Sequence, residues 1–373
     1  MDVTTEKLRI GVVGVGGFAP FALGAFLKVP GVIVVAIYSR SGDKASEVAA
    51  NYSAKPYSDF ESFLHDDNID LVYVATQPFL HYQQSKAALL AGKHVICEKP
   101  ASLKTSEAEE LAALARTRKL LYVVNLMQPY NPLAREVGKI IREKILGEFL
   151  HGYIENYASD CNMEEDHWFW DEEKSGGIFI EHGVHFFDLF SGWLGKGEVI
   201  HSAQWQRVHA GKKIIDRVQA TVNYADGPVN FYHGFDQLDP MSRLEMKLEF
   251  ENGEIKLYGW VPVRMKLYGL FNDVQFEKLR DRFPGCSIDE HKREDAGRET
   301  TGRFKKVAYD RIITLEYGNL DQQQEQYGLL LRSMIKDQWN WILDNSTKRI
   351  IEDTNAVESV RMAENAKLNA RQY

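Results

Sequence analysis

The chain predicts an α/β protein in two parts: a doubly wound parallel sheet at the amino end, then an α+β domain built on a large, mostly antiparallel sheet. Three observations carry this. From Leu8 to about Leu126, short apolar runs alternate with helix-period stretches about five times, the rhythm of strands buried on both faces between crossover helices. Beyond Asn131-Pro132 the apolar segments lengthen, alternate with polar residues and are joined by turns such as Asp226-Gly227-Pro228 and Glu251-Asn252-Gly253, which reads as antiparallel pairing with one wet face. The length, 373 residues, suits two domains at roughly 100–200 residues each.

The elements follow in order. Leu8–Val13, Val32–Tyr38, Leu71–Thr76, His94–Cys97 and Leu121–Leu126 are the buried strands, rich in Val, Ile, Leu and Tyr. Phe18–Lys28, Asp43–Asn51, Asp59–His65, Leu80–Ala91 and Thr105–Arg118 have helical spacing and end at punctuation such as Pro30-Gly31 and Gly92. Thr105 is the expected cap of the last of these. A helix over Leu133–Glu143 leads out of the region, so the domains are expected to be 1–127 and 128–373. In the second, Glu148–Ser159, Val199–Val208, Ile214–Tyr224, Val229–Phe235, Arg243–Glu249 and Gly253–Tyr258 read as strands. Gly176–Leu194, Gln322–Leu343 and Thr354–Ala370 read as helices, and the charged stretch Asp281–Lys305 as a surface excursion. Aromatic and Met residues at helical spacing in Tyr327–Trp341 read as core.

Forty-five Lys and Arg against 53 Asp and Glu give a net charge of −8. That balance argues against nucleic acid or an anionic membrane as partner, because both require a local excess of cations. A small-molecule partner is expected. Three scattered cysteines, Cys97, Cys161 and Cys286, form neither a disulfide framework nor a thiolate metal site and suit a reducing compartment. With no export signal and no long apolar run in view, a cytoplasmic protein is expected.

Gly14-Val15-Gly16-Gly17-Phe18-Ala19 closes the first strand and opens the first helix in the pattern GxGxxA. At the first βα junction of an alternating chain this predicts a dinucleotide-binding Rossmann domain. Gly14 allows the tight turn, and Gly16 lets a pyrophosphate approach the backbone. Gly17 and Phe18 lead into a helix amino end that offers free N–H groups, while Ala19 permits close packing. At the end of the second strand, where an acidic residue would grip the ribose hydroxyls of NAD, stands Tyr38-Ser39-Arg40-Ser41. A hydroxyl and a guanidinium accept a 2′-phosphate instead, so NADP is expected in preference to NAD.

Thr76-Gln77-Pro78 and His81 lead into Ala88-Leu89-Leu90-Ala91-Gly92-Lys93-His94-Val95-Ile96-Cys97-Glu98-Lys99-Pro100. This stretch closely resembles the glucose-fructose oxidoreductase / inositol dehydrogenase / MocA (Gfo/Idh/MocA) family. A second stretch, Ser175-Gly176-Gly177 through Glu181-His182-Gly183-Val184-His185 to Asp188, is similar to the family's second motif. The likeness covers roughly residues 8–195. It implies an NAD(P)-dependent oxidoreductase acting on a carbinol or carbonyl carbon of a sugar, polyol or related compound. Thr76, Gln77, His81, Glu98, Lys99 and Gln128 would then join the glycine turn, Ser39 and Arg40 in holding the cofactor. Lys99, just past a strand's carboxyl end, would bind the reacting oxygen, and His185 would exchange its proton as a group titrating near neutrality. Glu181 stands where the family usually has Asp and would position a neighbouring hydroxyl.

At helical spacing Glu181, His185 and Asp188 can share one face, with Asp188 bonding within the helix or orienting His185. Pro129 replaces an arginine common in relatives, which leaves Gln128 as the polar contact there. Trp168-Phe169-Trp170 resembles an aromatic platform for a sugar ring, and His167, Trp168 and His182 are expected near the substrate. No metal is expected, since histidines beside a cofactor need none. The resemblance further implies a homodimer or homotetramer. Two other readings share these motifs: a redox-neutral enzyme of epimerase, lyase or glycosidase type that retains its cofactor, and a non-catalytic nucleotide sensor.

Overall fold

The computed structural model describes residues 6–164, 166–209, 211–291, 299–302 and 305–373. They pack as two compact units. The first holds the chain up to Tyr130, residues 166–188 and Tyr327–Leu368; the second holds Asn131–Glu164, Leu189–Gln326 and Asn369–Tyr373. The chain first crosses near the expected boundary at residue 127. It then crosses again, so the motif around Glu181 and both late helices pack with the parallel sheet.

In the first unit, strands β1 (Leu8–Val13), β2 (Val32–Tyr38), β3 (Lys55–Tyr57), β4 (Leu71–Val74), β5 (His94–Cys97) and β6 (Tyr122–Val124) form one sheet in the order β3-β2-β1-β4-β5-β6. Every pairing is parallel. Ile10, Val12, Val72, Val74, Val95 and Ile96 are fully buried, which is why these strands read as unbroken apolar runs. β3 was not expected: Lys55-Pro56-Tyr57 carries a proline, tolerated here because the strand lies at the sheet edge. Helices α1 (Ala19–Phe26), α2 (Gly42–Ala50), α3 (Phe60–Leu64), α4 (Pro78–Leu90) and α5 (Thr105–Arg118) connect the strands. Strand order reverses between β1 and β4, and open α/β sheets bind ligands at the carboxyl edge of such a reversal.

Thr105, expected as a cap, is instead the first residue of α5, and its backbone N–H and hydroxyl donate to Glu364 at 2.9 and 2.5 Å. That bond ties α5 to the helix Asp353–Leu368. Lys99-Pro100 is a cis peptide.

The second unit opens on the helix Pro132–Arg142, capped by Asn131. Its strands are β7 (Phe149–Ser159), β8 (Glu198–His209), β9 (Lys212–Tyr224), β10 (Gly227–Gln237), β11 (Arg243–Phe250), β12 (Gly253–Tyr258), β13 (Arg264–Phe271), β14 (Ser287–Glu290), β15 (Glu299–Thr301), β16 (Lys306–Ala308), β17 (Arg311–Gly318) and β18 (Arg371–Gln372). Ten of them form a sheet in the order β14-β17-β13-β12-β11-β7-β10-β9-β8-β18, mostly antiparallel, while β15 and β16 pair apart. Alternation is clean: Ile154, Phe231, Met246, Leu248, Ile255 and Leu267 are buried, whereas Tyr153, Glu155, Glu245, Lys247 and Lys256 stand half-buried on the other face. Strands β13 and β17 went unrecognised in the sequence. The expected excursion Asp281–Lys305 is in part ordered as β14, which pairs with β17; residues 292–298 and 303–304 lie outside the described residues. Among the described residues no helix is long and apolar enough to cross a membrane.

Candidate functional site

A cavity of about 570 Å³ opens at the carboxyl edge of the parallel sheet, lined by four loops and one short segment of the first unit. Its floor is the turn after β1. Gly14 has φ +91°, and a Cβ there would lie 2.6 Å from the Ala75 carbonyl oxygen after β4, so a side chain is excluded twice over. At Gly16 an added Cβ would meet no protein atom within 4 Å, and Gly17 has φ +55°. A ligand can therefore rest directly on this backbone. No side chain caps the amino end of α1, which leaves N–H groups and the positive dipole end available to an anion. These features fit a dinucleotide pyrophosphate.

The turn after β2 contributes Tyr38, Ser39, Arg40 and Ser41, with Lys44 from the first turn of α2. The Ser41 hydroxyl accepts from the Lys44 backbone N–H at 3.4 Å, the cap that starts α2, and both Lys44 and Arg40 line the cavity. No carboxylate from this turn lines the cavity. Two cations and two serine hydroxyls suit a phosphate, which pairs with guanidinium and ammonium by charge-assisted bonds.

After β4 come Ala75, Thr76, Gln77 and Pro78, with Leu80 and Gln84 from α4. The Thr76 hydroxyl donates to the Gln84 side-chain oxygen at 2.6 Å. After β5 come Glu98 and Lys99. One Glu98 oxygen, Oε1, accepts from both the Tyr73 hydroxyl at 2.6 Å and the Asn125 amide at 2.9 Å. Burial pushes the Glu98 carboxyl above its ordinary value, against the pull of those two donors and of Lys99. Burial together with Glu98 likewise raises the Tyr73 phenol far above its usual range.

Opposite stands Glu181, in a π-helical turn over Phe179–Gly183 that precedes the α-helix Val184–Leu194. Such turns bond i to i+5 and often mark functional sites. Lys99 donates to the Glu181 backbone carbonyl at 2.9 Å and also to its carboxylate. The widened turn alters the expected sharing of one face. Glu181 reaches the cavity wall, whereas His185, four residues on, is buried and is not part of that wall. Asp188 bonds neither within its helix nor to His185 in any contact the structure gives. Its Oδ1 accepts from the Asn355 amide at 2.7 Å, and burial raises its carboxyl to about 7.

Of the residues singled out in the sequence, the structure gathers Gly14, Gly16, Gly17, Phe18, Ser39, Arg40, Thr76, Gln77, Glu98, Lys99, Trp168 and Glu181 around one cavity. His81, Gln128, His167, His182 and His185 are not on its wall. His167 caps the turn Trp168–Trp170 through its Nδ1, 3.3 Å from the Phe169 N–H, and its ring lies 5.3 Å from the Trp168 ring, centroid to centroid. Phe169 is buried, leaving Trp168 as the cluster's face on the cavity. Sequence reasoning missed Lys44, Ser41 and Gln84. The first two were visible as a serine cap three residues ahead of a lysine, and Gln84 lies one helical turn beyond His81. Among the described residues no group of three His, Cys, Asp or Glu could hold a metal ion.

Residues 8–126 match the family model described as an oxidoreductase family with an NAD-binding Rossmann fold, and residues 134–256 match the GFO/IDH/MocA C-terminal domain. A dTDP-3,4-didehydro-2,6-dideoxy-alpha-D-glucose 3-reductase from Actinomadura kijaniata is 32% identical over 181 residues, 48% of this chain and 54% of the relative. A D-xylose 1-dehydrogenase (NADP(+)) from Hypocrea jecorina is 27% identical over 199 residues, 48% of this chain and 51% of its own length. The chain thus spans about half the length of the curated relatives it matches. Among solved structures, a 3-ketoreductase from Actinomadura kijaniata in complex with NADP and TDP-benzene superposes with a TM-score of 0.75 at 19% identity, covering 98% of this chain and 99% of that one. The matched models, one on each side of the sheet change, show that this chain belongs to the Gfo/Idh/MocA family of oxidoreductases.

Proposed function

We propose that this chain is an NAD(P)-dependent oxidoreductase that transfers a hydride between the nicotinamide and a carbinol or carbonyl carbon of a sugar, polyol or related compound. One observation carries the reading: the glycine turn that fits a pyrophosphate and the Lys99–Glu181 pair line the same cavity. The dinucleotide supplies the hydride acceptor or donor. The chain supplies the rest. Lys99 has two acceptors on Glu181, and an ammonium has three donors, so one remains for the reacting oxygen. Its positive charge stabilises the alkoxide character that develops there. Glu181 holds Lys99 in place and offers its other oxygen to a neighbouring hydroxyl. Trp168 presents an aromatic face on which the C–H side of a sugar ring packs. The family motif supports His185 as the group that exchanges the substrate proton and His182 and Gln128 as further substrate and cofactor contacts, although none of the three is on the cavity wall.

We assign NADP as the preferred cofactor on the strength of Arg40, Lys44, Ser39 and the missing carboxylate. The sugar reductase and NADP-dependent xylose dehydrogenase among the relatives favour the same substrate class and cofactor. The family resemblance supports a homodimer or homotetramer, and the three dispersed free cysteines support a reducing cytoplasm. Initial rates with NADP+ across a panel of neutral aldoses and polyols test the proposal. Net growth of the reduced-nicotinamide absorbance with at least one of them is the expected outcome; turnover of the sugars without net reduction would establish the redox-neutral alternative instead.

A further inference from the structure

His81 lies in the first turns of α4 with 1% of its surface exposed. Its two ring nitrogens face backbone carbonyls from two different loops. Nδ1 is 2.7 Å from the Pro100 oxygen, and Nε2 is 3.0 Å from the Thr76 oxygen. Thr76 belongs to the loop after β4, and Pro100 directly follows Lys99 in the loop after β5; both loops supply cavity wall. The ring therefore spans the gap between the part of the wall that holds Thr76 and the part that holds Lys99, while standing behind both.

An imidazole is a rigid spacer with polar atoms on opposite edges. Neutral, it donates to one carbonyl and turns a lone pair to the other; protonated, it donates to both. Burial holds the His81 imidazole below its ordinary value, the Pro100 and Thr76 carbonyls oppose that shift, and Lys99 and Glu181 act on it with opposite signs. An apolar residue of similar size would keep the packing but remove the N–H that one of these buried carbonyls accepts from, leaving that carbonyl unpaired. The loops would then relax to find other donors.

We infer that His81 is a positioning residue that sets the separation of Thr76 from Lys99-Pro100 and so shapes the nicotinamide end of the cavity, without touching the cofactor. This rests on the dinucleotide reading above. It distinguishes His81 from Arg40 and Lys44, which face the opposite, adenosine-phosphate end.

Two ligands that share one end test the inference: NADPH, and adenosine 2′,5′-bisphosphate, which lacks the nicotinamide half. If the unaltered chain prefers NADH, the pair becomes NADH and ADP. Binding of each is measured by calorimetry at fixed salt for the parent, H81F, H81N and H81Q. H81F is expected to weaken the full dinucleotide by about tenfold, the equivalent of one lost buried hydrogen bond, while the nicotinamide-free probe changes by less than about threefold. H81N or H81Q, each able to keep one carbonyl bond, should recover part of the loss. Equal weakening of both ligands would mean a merely structural role, and no weakening of either would mean no role; both overturn the inference. If H81F fails to fold, the same ratio in H81N and H81Q decides the matter. A parent chain that binds neither dinucleotide overturns the functional reading itself, and this inference with it.

Discussion

Lys99 and Glu181 meet twice, the ammonium donating both to the Glu181 backbone carbonyl at 2.9 Å and to the same residue's carboxylate. The two residues are 82 positions apart in sequence, and the pair joins the loop after β5 to the π-helical turn. Replacing Lys99 by alanine removes the positive charge from the point where the proposed mechanism develops an alkoxide. Lys99→Ala is expected to lower turnover by about 10²–10³-fold, the usual loss for one preorganised donor, and to leave NADPH affinity within a few fold. Unchanged turnover, read as initial rate with the best sugar substrate, would remove Lys99 from the mechanism.

Glu181→Gln keeps the carbonyl that anchors Lys99 but deletes the carboxylate charge. Its turnover should fall less than that of Lys99→Ala, by roughly tenfold, the worth of one charge-assisted bond. A loss as deep as that of the lysine variant would show that the carboxylate itself takes part in the chemistry.

Arg40 and Lys44 form the cationic end of the cavity. Arg40→Ala should weaken NADPH by roughly tenfold to a hundredfold, as expected for a hydrogen bond to a charged group, with NADH affinity nearly unchanged; Lys44→Ala should act in the same direction but less, since lysine pairs as a point charge without the guanidinium fork. Competition titrations with the two dinucleotides check this. Equal effects on NADPH and NADH would place the 2′-phosphate elsewhere.

Gly14 combines a left-handed φ with a Cβ position already filled by the Ala75 carbonyl. Gly14→Ala should cost roughly 1–3 kcal/mol in backbone strain alone, lower the Tm and weaken dinucleotide binding together. A Tm equal to that of the parent would contradict the packing described.

Asp188 titrates in the folded state at about 7, raised from 3.8 by burial. Because the folded chain holds this proton more tightly than the unfolded one, the stabilisation is fully present below about pH 4 and is lost as pH rises through 7. Asp188→Asn removes that titration. The Tm difference between variant and parent should therefore move in favour of the variant between about pH 4 and pH 8; a difference independent of pH would show that Asp188 stays ionised.

Much of this was legible in the sequence for a physical reason. The strands β1, β4 and β5 are buried on nearly every residue and β2 on most, so their apolar composition alone marks them, and Gly14 and Gly16 are required by backbone conformation and by access to the backbone. The resemblance located Glu98-Lys99-Pro100 and the Glu181 segment. What stayed hidden depends on packing that no local pattern encodes. β3 is a three-residue edge strand with a proline, and β13 and β17 owe their place to pairing across the large sheet. The π-helical turn was invisible because Gly176–Leu194 has ordinary helical spacing; in the fold Glu181 lines the cavity while His185 is buried and does not. His81 reads as a cofactor contact from its motif, yet its partners are two carbonyls, and a backbone acceptor leaves no trace in side-chain sequence.

The central claim is that the cavity carries net hydride transfer between a nicotinamide and a neutral polyhydroxylated substrate. Its most direct test is the stoichiometry of cofactor reduction when the purified chain is incubated with NADP+ and each member of a sugar and polyol panel. One molecule of NADPH formed per molecule of sugar oxidised is the predicted result, and conversion of the sugar with no NADPH or NADH formed would contradict it.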